Sequence, residues 1–194
     1  IRAGDRDTKI FSCHASQRKR INMISSLKKS DGQVCIDHDE IQEEILNFYQ
    51  NLYLSQGYND MSELLQYVTP RVTDAMNETL EKDFNAEDVR TALFQMAPSK
   101  APGIDGFTAC FFQRHWSILG DDVTAAVLDF LNGGELPAGL NDTSITLIPK
   151  VRHPQSINQY RPISLCPVLY KIAAKAIANR MRECMDDIVG VEQS

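Results

Sequence analysis

The 194 residues suffice for one sizeable domain, or a domain with an appendage, and their 43% hydrophobic and 24% charged fractions are those of an ordinary globular chain. No apolar run approaches the roughly 20 residues of a membrane-spanning helix, and the first residues carry no secretory signal pattern, so no membrane partner is expected. The net charge of −6 conceals three zones: residues 1–30 hold eight Lys/Arg against two acids, 31–90 hold three against fourteen, and 91–194 hold nine against ten. Overall acidity therefore does not exclude a nucleic-acid partner, because the contact surface is local.

The five cysteines (Cys13, Cys35, Cys110, Cys166 and Cys184) are odd in number and show no C-x-x-C spacing. They predict reduced thiols and an intracellular setting, cytoplasm or nucleus, rather than a disulfide frame or a zinc site. The four histidines supply no ligand set at useful spacing, and no metal ligand is assigned. Position 1 is Ile and the chain stops at Ser194 without a tail, so it reads as a piece of something longer.

In chain order, residues 5–20 predict a helix carrying the basic cluster Arg18, Lys19 and Arg20. Asp31-Gly32, flanked by Ile24–Leu27 and Gln33–Ile36, predicts a β-hairpin. Asp37, with Glu40 three residues on, predicts a capped helix with Ile41, Ile45, Phe48, Tyr49 and Leu52 on its apolar face. A loop over 56–60, a short helix over 63–68 and a helix from Thr73 to about Leu80 follow. Asn85 caps the next helix, with Val89, Leu93 and Met96 inward and Pro98 ending it. The acids of 37–90 fall on outer faces and read as solvation.

Beyond the loop at 99–106, residues 108–116 and 121–131 predict two helices. Val123, Val127, Phe130 and Leu131 stripe the second, and Asp121-Asp122 read as capping charge after Gly120. Two strand-length runs, Thr143–Ile148 and Tyr160–Leu165, are punctuated by Pro149 and Pro162, so the second is expected to lie at a sheet edge or to be very short. Lys150 and Arg161 stand at the feet of this pair. The last predicted helix runs from Val168 to about Met185, with Leu169, Ile172, Ala173, Ala176, Ile177 and Cys184 on its apolar face. Lys171, Lys175 and Arg182 fall on the opposite face, whereas Arg180 projects among the apolar positions.

No acid occurs between Asp142 and Glu183, while that interval carries Lys150, Arg152, Arg161, Lys171, Lys175, Arg180 and Arg182. In an acidic chain this pattern is the footprint of a polyanion site, although a run of cations is also the ordinary dress of a solvated face. Basic faces at 171–182 and 18–29 suit phosphate contacts. The loop S-K-A-P-G-I-D-G at 99–106 has the turn chemistry to bring backbone N–H groups near phosphates. That makes Lys100 and Gly103 candidate contacts, with a routine helix connector as the rival reading. Tyr160 and Tyr170 are candidates for stacking, against core packing for at least one.

L-I-P-K at 147–150, Y-R-P-I-S-L at 160–165 and V-L-Y-K-I-A-A-K-A-I-A-N-R-M at 168–181 resemble the fingers region of a reverse transcriptase. K-A-P-G-I-D-G-F at 100–107, F-Q-R-H-W at 112–116 and G-E-L-P-A-G-L-N-D-T at 134–143 extend the likeness. The resemblance is to LINE-type non-LTR retrotransposon polymerases of the kind common in plant genomes, and it runs from G-D-R-D-T-K-I-F at the front to V-E-Q-S at the end. It implies an α+β fold: a mostly helical N-terminal extension over 1–98, with a small hairpin near 24–36, then fingers and the start of the palm of a right-hand polymerase over 99–194.

The resemblance further implies that Lys150 and Arg161 grip an incoming dNTP. Lys100, Gly103, Arg152, Lys171, Lys175, Arg182 and the cluster Arg18, Lys19, Arg20 would contact nucleic acid. The implied parent is an RNA-directed DNA polymerase using Mg²⁺, dNTPs, an RNA template and a DNA primer, with an upstream endonuclease domain. Its catalytic aspartates would lie downstream of this stretch, which would leave this chain alone without catalytic residues. Cys184-Met185-Asp186-Asp187 mimics the x-x-D-D polymerase signature, but it ends a predicted helix instead of turning a β-hairpin. Cys166-Pro167-Val168 stands where most relatives have Cys-Asn-Val. That lost cap keeps a decayed remnant open as an alternative, beside a non-catalytic RNA-binding module.

Overall fold

A computed structural model describes residues 23–29, 31–55, 57 and 61–189. The helix expected over 5–20, the Arg18–Arg20 cluster and most of the 56–60 loop lie outside them. Among the described residues the architecture is α+β, with helices and two two-stranded sheets. The chain divides into two compact units, one drawn from 1–58 and 145–163, the other from 59–144 and 164–194.

In the first unit, β1 (Leu27–Lys28) pairs antiparallel with β2 (Val34–Cys35), Leu27 opposite Cys35 and Lys28 opposite Val34. The turn is closed by Gly32 at φ 90°, a conformation open to glycine, and by the Asp31 carboxylate accepting from the Gln33 N–H. Helix α1 (His38–Tyr53) starts where Asp37 accepts from the N–H groups of Asp39 and Glu40. Its Ile41 and Tyr49 are buried with Leu27, Cys35, Ile157 and Tyr160, and Ile45 and Phe48 pack on that cluster. Leu52, expected on the same buried face, is 58% exposed: the buried part of α1 ends at Tyr49, and its last turn projects past the small core.

The second unit is helical: α2 (Ser62–Leu65), α3 (Asp74–Glu81), α4 (Ala86–Phe94), α5 (Ala109–Arg114), α6 (Trp116–Leu131) and α7 (Val168–Ile188). Thr73 caps α3, and Asn85 caps α4 in a reciprocal box with Asp88. Helix α4 packs against α6 and α7, and its Val89, Ala92 and Leu93 are wholly buried with Phe112, Val127, Val168 and Ile172. Each of these side chains larger than alanine contributes about 1.5–3 kcal/mol by leaving water.

Two expectations change here. The break expected at Gly120 is absent, for α6 runs unbroken from Trp116 and the chain bends instead at His115. Gly120 is a packing residue: a Cβ on it would lie 2.9 Å from the Trp116 ring, one turn earlier. Asp121 and Asp122 consequently sit inside a helix and cap nothing. Ile177, expected in the core stripe of α7, is 40% exposed because it falls on the border of the seam formed by Ile172, Ala173, Ala176 and Cys184. Pro167 stands at the N-cap of α7 with no side-chain cap bond, consistent with its lack of a polar side chain. Asp186 and Asp187 are helical and exposed, not in a hairpin.

Candidate functional site

Strands β3 (Ser144–Pro149) and β4 (Tyr160–Leu165) form the second sheet. The Lys150 N–H donates to the Gln159 carbonyl at 2.8 Å, which ties the end of β3 to the start of β4 as an antiparallel ribbon requires. Side chains alternate across this ribbon. Tyr160 is buried and Leu147 packs on the same core, while Ile148 and Arg161 are exposed. Lys150 follows directly on β3 and is exposed, as Ile148 and Arg161 are.

The connecting loop is built, not loose. Ile157, in a single 3-10 turn (Ile157–Gln159), is buried in the first unit's core. The Gln159 side-chain oxygen accepts from the N–H groups of Gln155 and Ser156, and the Ser156 hydroxyl bonds the Asn158 side-chain oxygen at 2.6 Å. Lys150 Nζ donates to the Asn158 carbonyl at 2.7 Å, which leaves two of its three N–H bonds for a ligand. Arg161 and Arg152 are exposed, and neither makes a side-chain hydrogen bond or ion pair among the described residues. An ammonium and a planar guanidinium, both exposed at the end of one braced ribbon, are groups of complementary geometry for a phosphate.

The remaining candidates lie in the helical unit and divide into free and committed groups. Lys100, Lys175 and Arg182 make no side-chain hydrogen bond or ion pair among the described residues, and Arg182 lines a polar cleft with Lys82, Asp83 and Glu183. Lys171 donates to the Ala101 carbonyl at 2.8 Å, so it fastens the 99–106 loop to the first turn of α7. Gly103 permits the same docking: a Cβ there would stand 2.4 Å from the Pro167 nitrogen. Its φ is not positive, whereas that of Gly106 is, at 75°. Tyr160 belongs to the core, where burial raises its phenol above the ordinary 10.0. Tyr170 is half-buried.

Arg180 was the cation without a role, and the structure supplies one. Its guanidinium lies over the Phe84 ring, 3.4 Å from the centroid. It donates to the carbonyls of Leu80 (3.1 Å), Lys82 and Asp83 (3.3 Å), and it pairs with Asp88 at 3.8 Å. It therefore caps the C-terminal end of α3 and joins it to the start of α4. The signal was present in the sequence as a cation on an apolar helix face. Its partners, being main-chain oxygens, leave no trace in residue identity. Two amides were missed for the same reason: Asn132 bonds both the N–H and the carbonyl of Phe84, and Gln113 donates to the carbonyls of Leu93 and Met96.

Among the described residues no three His, Cys, Asp or Glu side chains gather to hold a metal ion, so no described residue is assigned to Mg²⁺. Among them no helix is long and apolar enough to cross a membrane. No family model matches the chain. Over 191 residues, 98% of its length, the chain is 31% identical to the transposon TX1 uncharacterized 149 kDa protein of Xenopus laevis. The chain is similar to a transposon-encoded protein. It spans 15% of that protein's length.

Proposed function

We propose that this chain is part of an RNA-directed DNA polymerase of a non-LTR retrotransposon, and that it carries the fingers elements which hold template and incoming dNTP. The supporting observation is the pair Lys150 and Arg161, both exposed, one directly after β3 and the other at the start of β4, in a ribbon whose loop is braced by its own side-chain bonds. Similarity to a transposon protein over nearly the whole chain supports the same reading.

On this reading Lys150 and Arg161 bind the triphosphate, and Lys100, Lys175, Arg182 and Arg152 position the phosphates of an RNA template or a DNA primer. Lys171 and Gly103 act indirectly, by fixing the loop that carries Lys100. Arg18, Lys19 and Arg20 would also contact nucleic acid. Mg²⁺ would be held by carboxylates contributed elsewhere in such a polymerase, and an endonuclease domain would accompany it.

The test is nucleotide incorporation by a polymerase that includes this chain and the sequence downstream of it. Lys150→Ala and Arg161→Ala should each raise the KM for dNTP roughly tenfold to a hundredfold, the equivalent of losing one charge-assisted contact of about 1.5–3 kcal/mol. Unchanged KM in both variants ends the assignment.

A further inference from the structure

Beside the ribbon loop, within the first unit, lies an open groove of about 590 Å³. One wall is the hairpin, which presents Lys28 from β1 and Lys29 from the residue after it, rather than from the basic helix face expected over 18–29. The Lys28 N–H donates to the Gln155 carbonyl at 2.7 Å, so this wall is stitched to the 150–159 loop. The other wall is α1, where Asn47 and Asn51 stand four residues apart on one face. Asn158 closes one side. Its side-chain oxygen is taken by Ser156, and its amide N–H groups remain free among the described residues.

Phe48 and Leu52 give the groove an apolar surface, and the exposure of Leu52 there is what the core failed to explain. The Lys28 and Lys29 ammonium groups, and the Asn47 and Asn51 amides, have no side-chain hydrogen bond or ion pair among the described residues. Among the described residues, Glu44 is the sole acid on the lining.

We infer that this groove binds a single-stranded polynucleotide, with phosphates at Lys28 and Lys29 and a base lying on the Phe48–Leu52 surface between the asparagine amides. Lysines alone would equally suit an acidic peptide. Carboxamides, which both donate and accept, match the mixed edges of an unpaired base, and an apolar surface suits its flat face. The inference deepens the template-holding part of the proposed function and rests on the groove's own residues, not on Lys150 and Arg161.

The test is fluorescence anisotropy of a labelled uridine oligonucleotide titrated with the 194-residue chain between about 50 and 200 mM salt. Lys28→Ala/Lys29→Ala should weaken binding by about tenfold and flatten the log–log salt slope by about 1.4, roughly 0.7 per lost phosphate contact on a single strand. Asn47→Ala/Asn51→Ala should weaken it by about threefold to tenfold and leave that slope unchanged. Thermal melts of both variants confirm that they fold, and 4-thiouridine cross-links should map to α1.

A parallel thymidine oligonucleotide tells whether the sugar is read. Full affinity in the lysine variant, cross-links only outside the groove, or equal competition by oligoglutamate would each overturn the inference. The readout is oligonucleotide affinity of this chain, so its failure is distinct from a failed dNTP assignment.

Discussion

The two units differ in how far their cations are committed: the helical unit holds both tied cations and uncommitted ones such as Lys100, Lys175 and Arg182, whereas the ribbon unit leaves nearly all its donors uncommitted among the described residues. In the helical unit Lys171 and Arg180 are tied to main-chain carbonyls of that same unit. In the ribbon unit Arg161, Arg152, Lys28 and Lys29 keep their side-chain donors uncommitted among the described residues, and Lys150 commits only one bond. The acid-free interval from Asp142 to Glu183 thus contains two kinds of positive charge, and counting cannot separate them. A charge spent on a carbonyl holds the fold together. An unspent charge on a braced scaffold is available to a ligand.

The contrast can be broken most forcefully at the helical core. Ile172→Ala should cost about 2–5 kcal/mol in urea unfolding, as truncation of a fully buried aliphatic side chain does. A loss below about 1 kcal/mol would mean the unit is held by something other than that core. Next comes the clamp. Arg180→Met keeps most of the alkyl stem but deletes the carbonyl bonds, and it should cost about 2–3 kcal/mol, with the arginine side chain only 13% exposed. Arg180→Lys should recover only part of this, since an ammonium cannot spread over three oxygens and an aromatic ring.

A smaller effect should appear at alkaline pH. Burial raises the Tyr160 phenol in the folded state, so the folded protein holds that proton more tightly than the unfolded chain. Its contribution is complete below pH 10.0, the unfolded value, and is lost as pH rises through the folded value. Tyr160→Phe should reduce that alkaline decline, and stability measured against pH from neutrality upward would show whether it does. Tyr49, raised by burial and by Tyr53, contributes in the same direction and serves as the comparison. Smallest of all, Arg161→Ala should leave unfolding free energy within about 0.5 kcal/mol of the parent. A larger loss would move Arg161 into the group of structural cations and sharpen the division elsewhere.

Local chemistry made much of the secondary structure legible. Asp37, Thr73 and Asn85 each head the helix their side chains suggested, and Asp31-Gly32 turns the hairpin. Gly120 misleads because glycine signals a break only when nothing packs on it, and here the Trp116 ring one turn away does. The helix over 63–68 shortened to Ser62–Leu65.

What no local pattern carried was the grouping of 145–163 with the hairpin and α1, since that depends on Ile157 and Tyr160 reaching a core more than a hundred residues away in sequence. At the site, the feet of the proline-edged ribbon could be read in advance because proline and cation are explicit letters. The employment of Lys171 and the tight seat of Gly103 could not, for both depend on the path of a distant backbone.

The clamp at Arg180 has an evolutionary corollary. Because it recognises three main-chain oxygens, the residues at 80, 82 and 83 can drift in identity while the junction survives, provided the chain keeps its path. Position 180 has no such latitude. Among copies of this sequence diverging from one another, variation should pool in the gripped segment and spare the gripping side chain.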